Sequence, residues 1–208
     1  MLPFLENYAI TAKESLSIFM SLAPWRSAIA RSLHINRSHP DSRFFQLATI
    51  SLDGYPANRT VVFRGFRDDS NDLQIISDSR SEKNAHLQEH PQAEICWYFT
   101  KSREQFRFRG IITVIDAENR ELASVRKAVW EQISDSSRSL FFWPDPKAKR
   151  TKDDFPETPP VDTIPETFTV LLFSPKQVDY LTLKGDPQNR YLYVLEDAEN
   201  WSMREVNP

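Results

Sequence analysis

A hairpin of two strand-like segments, followed by a third strand and a short helix, constrains the fold of this chain most strongly. Residues 44–51 and 57–66 are rich in β-branched and aromatic residues, and the turn Leu52-Asp-Gly-Tyr-Pro56 separates them. Residues 81–90 then read as a helix, with Ser81 as a suitable N-cap and Pro91 as its stop. Together with the strand-like segments downstream, this order predicts an antiparallel β-barrel with helices at its flanks.

Two groups of cationic side chains accompany these elements. Arg59 and Arg64 lie on the second arm of the hairpin, and Arg80 and Lys83 flank Ser81 at the start of the helix. The free N–H groups of a first helical turn favour an anion, whereas the helix dipole favours acidic rather than basic residues there. A bound phosphate accounts for both cations, so the sequence predicts a site for a phosphate monoester.

Each cationic group also has a simpler interpretation. Strict alternation along a strand puts Arg59 and Arg64 on opposite faces, so they converge only if the strand bends, which Gly65 permits. They are otherwise exposed edge-strand arginines that discourage aggregation. The helix start is otherwise a solvated one, at which Glu82 answers the dipole while Arg80 and Lys83 face water.

The overall charge excludes some classes of partner. The net charge is −3 and the pI is near 5.9, so any basic site must be local, and neither nucleic acid nor an anionic membrane is expected as a partner. The N-terminus has no basic leader, and no apolar run reaches membrane-span length, which predicts a cytoplasmic protein. The single cysteine, Cys96, rules out an internal disulfide and is expected to be a buried apolar residue.

Motifs for dinucleotides, triphosphates and metals are missing from the sequence. Only four glycines occur, and they form neither a GxGxxG nor a P-loop pattern. The histidines at 34, 39, 86 and 90 lack zinc spacing, so no metal site is expected. No Ser/His/Asp or paired-carboxylate arrangement suggests an active site without a cofactor, and no catalytic residue is assigned.

The rest of the chain fits a single domain over residues 1–208. Between 144 and 165 the frequent prolines predict an extended, mobile loop. Helices are expected at 25–33 and 117–133, and further strands at 104–115, 166–173, 177–183 and 190–195.

The order of these motifs resembles that of a known family. Arg-x-Val-Val-Phe-Arg, a strand, Ser-Asp-x-Arg-Ser-x-Lys and a helix are similar to the flavin-binding core of the pyridoxamine 5'-phosphate oxidase family. The resemblance continues through 90–99, 103–110 and 178–193, and it covers roughly residues 25 to 195. It is strongest to a subgroup of uncharacterised FMN-binding relatives.

The resemblance implies a split β-barrel that dimerises and binds FMN in two clefts between the subunits. The residues it implies for FMN binding are Arg59, Thr60, Val61, Val62, Arg64, Ser77, Arg80, Ser81, Lys83, Gln105 and Arg190. The aromatic residues of the strands around 97–108 fit a dimer surface, although the core of a monomer would use the same residues. On 104–110, Phe106 and Phe108 share one face and leave Gln105, Arg107 and Arg109 on the other, where they can line a cleft.

Two departures from the family pattern bear on function. The family's Arg-Lys pair is here Glu82-Lys83, and Gly185-Asp-Pro-Gln-Asn189 and Leu181 stand where the oxidase has an Arg-x-His and a tryptophan. The sequence therefore favours an FMN-dependent oxidoreductase with an unknown small-molecule substrate. The alternatives are the oxidase itself and a flavin-binding protein without turnover. Ser134 and Arg138 are the candidate substrate-binding residues, because the oxidase places its substrate-phosphate ligands in that region.

Overall fold

The computed structural model describes residues 22–150, 155–156, 160–197 and 199–208, so the N-terminus and part of the predicted loop at 144–165 lie outside it. The helices are α1 (Arg26–Asn36), α2 (Glu82–Glu89), α3 (Ala123–Gln132) and α4 (Asp135–Ser139). The strands are β1 (Phe44–Ile50), β2 (Pro56–Phe66), β3 (Leu73–Asp78), β4 (Gln92–Phe99), β5 (Glu104–Ile115), β6 (Phe168–Thr182), β7 (Asn189–Leu195) and β8 (Trp201–Val206).

Six of the strands close into an antiparallel barrel, as the sequence predicted. They run in the order β3-β2-β1-β4-β5-β6, and the pairing of β3 with β6 closes the ring. The strands β7 and β8 continue the sheet beyond β6, outside the ring. The ring is incomplete at one place, because β3 pairs with β2 only from Phe63 to Phe66, which leaves the preceding part of β2 with one open edge.

Large aromatic side chains fill the barrel. Trp97, Phe99, Phe106 and Phe108 are almost fully buried, whereas Tyr98, on the opposite face of β4 from its neighbours, is exposed. These aromatics are therefore core residues and do not support a dimer surface. The predicted alternation on β5 is confirmed, since Gln105, Arg107 and Arg109 lie on its outer face.

The strand β6 corrects the sequence prediction of two separate strands at 166–173 and 177–183. The strand continues through Pro175, which lies between the two predicted ranges, because this proline is at a β-bulge, where a missing N–H is tolerated. There Gly110 and Arg109 of β5 face Pro175 and Gln177, so Lys176 is the extra residue. A Cβ on Gly110 would clash with the backbone of Ser174, so the two strands can approach this closely only because residue 110 is glycine.

Two helix boundaries, one strand and the position of the cysteine also differ from prediction. The helix α1 runs three residues further than 33, and α3 begins at Ala123, because the side chain of Asp116 caps a turn at 118–119 instead. The strand β8 was missed, since its alternation is interrupted by the charged pair Arg204-Glu205. The cysteine at 96 is half-buried on the outer face, which corrects the expectation of a core residue.

The strand β6 is buried on both faces near its start. Leu171 and Phe173 point into the barrel, whereas Val170 and Leu172 pack against Trp130 of α3 in a second apolar cluster. The short helices after β5 thus cover the outside of the barrel at β6.

A buried carboxylate attaches α1 to one end of the barrel. Glu104 accepts hydrogen bonds from Ser32 at 2.7 Å, Arg31 at 3.0 Å and Tyr180 at 2.5 Å. Burial raises the pKa of Glu104, but these bonds and one from Ser102 outweigh burial and hold the pKa below its ordinary value. The network therefore stabilises the folded state only while Glu104 is ionised.

We expect Glu104→Gln to lower the free energy of unfolding at pH 7 by about 1–3 kcal/mol, because it removes charge-assisted hydrogen bonds in a buried site. The contribution of the carboxylate is present above its ordinary pKa of about 4.3 and is lost as the pH falls through the lower folded-state pKa. The difference between wild type and variant should therefore narrow below about pH 4 in urea titrations. Glu118→Gln is the control on an exposed residue, and an equal loss for both variants would contradict this role.

Candidate functional site

The predicted phosphate site lies where β3 ends and α2 begins. The helix starts at Glu82, preceded by Ser81 in an extended conformation with φ −80° and ψ 140°. The hydroxyl of Ser81 does not cap the helix, which corrects the expected mechanism. It donates to the carbonyl of Asp78 at 2.8 Å and accepts from Lys83 at 2.7 Å, so it faces the site instead of the helix backbone.

Lys83 is the centre of this group, which we call the cradle: Arg59, Ser77, Ser81, Lys83 and Asn84. The ammonium of Lys83 donates to the hydroxyl of Ser77 at 3.0 Å as well as to Ser81. The side-chain amide of Asn84 donates to Ser77 at 3.1 Å and to Ser81 at 3.0 Å. With two donors on its oxygen, the hydroxyl of Ser77 directs its own proton into one long hydrogen bond, to the carbonyl of Asp78 at 3.5 Å, which a ligand oxygen can replace.

Arg59 supplies the second cation of the cradle. It extends from the same side of β2 as the buried Val61 and Phe63, and it donates to the carbonyl of Leu47 at 3.1 Å and the hydroxyl of Thr49 at 2.7 Å. Burial lowers the pKa of Arg59; burial and the charge of Arg59 likewise lower the pKa of Lys83. The arginine is half-buried and bonded, so the interpretation as an exposed edge residue does not apply to it.

The cradle suits a phosphate dianion. Within the described part of the chain, neither Arg59 nor Lys83 makes an ion pair with a carboxylate, and Lys83 has only hydroxyl groups as partners. The carboxylates of Glu82 and Asp78 act on these cations only from a distance. Two partly buried cations without an ion pair in the described structure, beside serine hydroxyls and the first turn of a helix, suit the negative charge and the acceptor oxygens of a phosphate group.

Arg80 is engaged elsewhere. Its guanidinium bonds to both oxygens of Asp78, to Asp145 at 2.9 Å and to the carbonyl of Trp143 at 2.8 Å. These bonds to Asp78 and Asp145 outweigh burial and raise the pKa of Arg80. Lys147 also pairs with Glu82, so residues 143–147 form a strap across the start of α2. Arg80 anchors that strap, and its role as a phosphate ligand stays a prediction.

Arg64 does not join the cradle. It is the extra residue at a bulge between Phe63 and Gly65, on the opposite side of β2 from Arg59. Its Nε atom is buried without a hydrogen-bond partner in the described structure, and burial lowers its pKa. Arg64 lines a cavity of about 350 Å³ between β2 and α3, together with Gln74 and Gln132. Gly65 takes a φ of +136° there, so the predicted bend exists but turns Arg64 toward α3.

The remaining predicted cofactor residues lie on two other surfaces. Thr60, Val61 and Val62 belong to the part of β2 with an open edge, directly beside the cradle. Gln105 and Arg190 lie on the outer face of the sheet, three strands or more from β2. Arg190 donates there to both oxygens of Asp179, at 2.9 and 2.6 Å.

The two candidate substrate residues belong to the structure of α4. The hydroxyl of Ser134 caps this helix by accepting from the backbone of Ser137. Arg138 donates to the carbonyl groups of Trp130 and Glu131 and pairs with Asp135. Neither residue contacts the cradle, and their substrate roles stay predictions.

Sequence reasoning missed three polar residues, of which one belongs to the cradle and two lie behind it. Asn84 is buried in α2 and accepts a bond from Thr169 of β6 at 3.4 Å, while Thr49 and His86 are buried next to Arg59. The available signal was that Asn84 and His86 are polar residues on the face of α2 that also carries the core residue Leu87. Such residues are buried only if they are hydrogen-bonded.

The described residues contain no cluster of three or more His, Cys, Asp or Glu side chains placed to hold a metal ion. No helix among them has the length and apolar character needed to cross a membrane.

A family model and a curated relative both match this chain, and they name the same enzyme family. The family model described as pyridoxamine 5'-phosphate oxidase, FMN-binding domain, matches residues 22–116. The pyridoxine/pyridoxamine 5'-phosphate oxidase 2 of Arabidopsis thaliana is 37% identical over 198 residues, which is 90% of this chain and 98% of that protein.

Solved structures match over most of the chain. A pyridoxamine 5'-phosphate oxidase-related, FMN-binding protein from Nostoc punctiforme is 48% identical, with a TM-score of 0.88 over 91% of this chain and 100% of that one. PhzG from Burkholderia lata, solved with tetrahydrophenazine-1-carboxylic acid, has a TM-score of 0.70 at 17% identity over 88% of this chain and 91% of its own. The second likeness supports the fold alone.

We expect Lys83→Met to raise the free energy of unfolding of the ligand-free protein by about 0.5–2 kcal/mol, because it replaces a partly buried charge, which has no ion pair in the described structure, by an apolar chain of similar length. The gain should shrink as the pH rises through the lowered pKa of Lys83 toward its ordinary value of about 10.4, since the charge then leaves the folded protein. Urea denaturation across this range measures both effects. Lys147→Met, at an exposed ion pair, is the control, and a destabilised Lys83→Met would show that the ammonium supports the fold.

Proposed function

The chain belongs to the FMN-binding pyridoxamine 5'-phosphate oxidase family and its cofactor is FMN; from this premise we propose that it is an FMN-dependent oxidoreductase of a small anionic molecule. The observation that carries the proposal is the cradle, in which Arg59 and Lys83 lie together and neither has an ion pair among the described residues. A single phosphate group is the ligand that this arrangement fits.

The cradle residues hold the cofactor by its phosphate. Arg59 and Lys83 neutralise the dianion through charge-assisted hydrogen bonds, and the hydroxyl of Ser77 donates one more. When bound, FMN supplies the capacity to accept and pass on a hydride or electrons. The protein residues bind and orient it, and the open edge of β2 at Thr60–Val62 offers backbone groups beside the cradle.

The substrate end of the site contains Arg64. Its buried Nε atom has no acceptor among the described residues, and burial followed by the charge of Arg43 lowers the pKa of Arg64. The cavity between β2 and α3 is lined by Arg64 and Arg67 against one carboxylate, Asp68, so it favours an anionic group. This supports an anionic substrate. It also favours a second candidate function, pyridoxine/pyridoxamine 5'-phosphate oxidase, which is the name of the Arabidopsis relative.

The turn between β6 and β7 argues against that second candidate. The oxidase that the sequence resembles has an arginine and a histidine there, whereas this turn has the exposed residues Gly185, Asp186 and Pro187 at those positions and a cation only before them, at Lys184. A site that lacks polar partners for its ligand discriminates against it strongly.

The active unit in this proposal is a homodimer. Gln105 and Arg190 are on the outer face of the sheet, whereas Arg59 extends toward the barrel interior, so one copy does not present both groups to the same ligand. The same outer face has a cavity of about 630 Å³ lined by exposed Ile50 and Ile111, which supports contact with a second copy.

We expect Arg59→Ala and Lys83→Met each to weaken FMN binding about tenfold or more, because each removes a charge-assisted contact to the phosphate. Riboflavin lacks the phosphate, so its affinity should change little. Fluorescence quenching titrations with both flavins measure the difference. Arg37→Ala, at an exposed arginine bonded to His34 on α1, is the matched control. Equal losses for FMN and riboflavin would mean that the cradle does not hold the phosphate.

We expect FMN-loaded protein to convert pyridoxamine or pyridoxine 5'-phosphate to pyridoxal 5'-phosphate with a kcat/KM below about 10⁴ M⁻¹s⁻¹, the lower end of the ordinary enzyme range. Oxygen-dependent product formation measures it, and a higher value would establish the second candidate instead. Repeated reduction of the flavin by NADPH or NADH and its reoxidation by oxygen test turnover in general. A flavin that stays oxidised under all these conditions would indicate a binding protein.

We expect flavin-loaded protein to be a dimer at micromolar concentration, with one FMN per subunit. Light scattering and the flavin absorbance measure mass and stoichiometry. Ile111→Asp, which places a charge on the apolar part of the outer face, should shift the mass toward the monomer. A monomeric wild-type protein that still binds FMN would contradict the dimer.

A further inference from the structure

A chain of buried polar groups continues behind Arg59. The guanidinium donates to the hydroxyl of Thr49 at 2.7 Å, and that hydroxyl lies 3.1 Å from Nδ1 of His86. Thr49 is 3% exposed and His86 is 7% exposed. The chain links β2, β1 and α2, the three elements that meet at the cradle end of the barrel.

The chemistry of these groups fixes the direction of the first hydrogen bond. A guanidinium only donates, so the oxygen of Thr49 accepts from Arg59, and its own proton remains available for a second bond. In the tautomer of His86 with its proton on Nε2, Nδ1 accepts that proton and ends the chain. The carbonyl of Leu47 accepts from the same Arg59 nitrogen at 3.1 Å and forms the second fixed contact.

We propose that Thr49 and His86 are positioning residues that hold Arg59 in the orientation needed for the phosphate of FMN. This inference rests on the proposed role of the cradle. An arginine side chain has many rotamers, and their loss on binding weakens affinity unless the protein orders the side chain beforehand. Two contacts to one nitrogen set the direction of the guanidinium and leave its other nitrogens for the ligand.

Paired variants distinguish the effect of losing a hydrogen-bonding group from the effect of changing the size of the side chain. Thr49→Val keeps the shape and removes the hydroxyl, whereas Thr49→Ser keeps the hydroxyl. His86→Leu removes the acceptor, whereas His86→Asn places an oxygen near the position of Nδ1. We expect Thr49→Val and His86→Leu to weaken FMN binding by about threefold to tenfold, the worth of one hydrogen bond, with riboflavin affinity within about twofold of wild type. Thr49→Ser and His86→Asn should restore most of the FMN affinity.

The controls distinguish positioning from general destabilisation. Ser102→Ala removes a buried hydroxyl at the opposite end of the barrel, where it accepts from Asn36, and it should leave both flavin affinities unchanged. Thermal unfolding shows whether each variant folds. If Thr49→Val does not fold, the comparison of His86→Leu with His86→Asn tests the positioning role instead.

Two results would overturn the inference. If Arg59→Ala weakens FMN selectively while Thr49→Val and His86→Leu do not, the cradle stands but the two residues do not position Arg59. If Arg59→Ala also fails to discriminate FMN from riboflavin, the proposed cradle fails and the positioning role fails with it.

Discussion

The positive charge of Arg59 and Lys83, which have no ion pair in the described structure, is the constraint on which the rest of the site depends. Burial lowers the pKa of both groups, so the fold disfavours their charged forms. Such an arrangement persists only if surrounding groups fix it. Asn84, Ser77 and Thr49 provide that support through hydrogen bonds from three different elements, and the site is built at the expense of stability.

Closure of the barrel assembles these supports. Ser77 of β3 pairs with Thr169 of β6, and Thr169 in turn donates to Asn84 of α2. Residues 79–167, which include α3 and α4, separate the two strands along the chain. The cradle therefore depends on a long-range strand pairing, and a protein with an unclosed barrel would have the cationic residues without their geometry.

The sequence predicted the structure correctly wherever a single local rule decides the conformation. Alternation on β5 separated Phe106 from Gln105 correctly, and the Ser81 helix start located the cradle within one residue. It failed where partners that the sequence does not reveal decided the outcome. Arg80 is held by Asp78, two positions before it, and by Asp145, 65 positions away. Arg64 looked like part of the cradle because Gly65 predicted a bend, but the direction of the bend comes from the pairing with β3. The break predicted between 173 and 177 does not occur, because the bulge that accommodates Pro175 needs Gly110 on the neighbouring strand.

The open edge of β2 carries a risk of aggregation that the paired strands of the barrel avoid. Unpaired peptide groups along a strand are a template onto which a strand from another molecule can add. On the proposed binding mode, the cofactor lies beside Thr60–Val62, the stretch where β3 does not reach. Occupancy would then shield this edge from misassembly, and newly made chains would be most exposed to aggregation between the closing of the barrel and the arrival of their flavin.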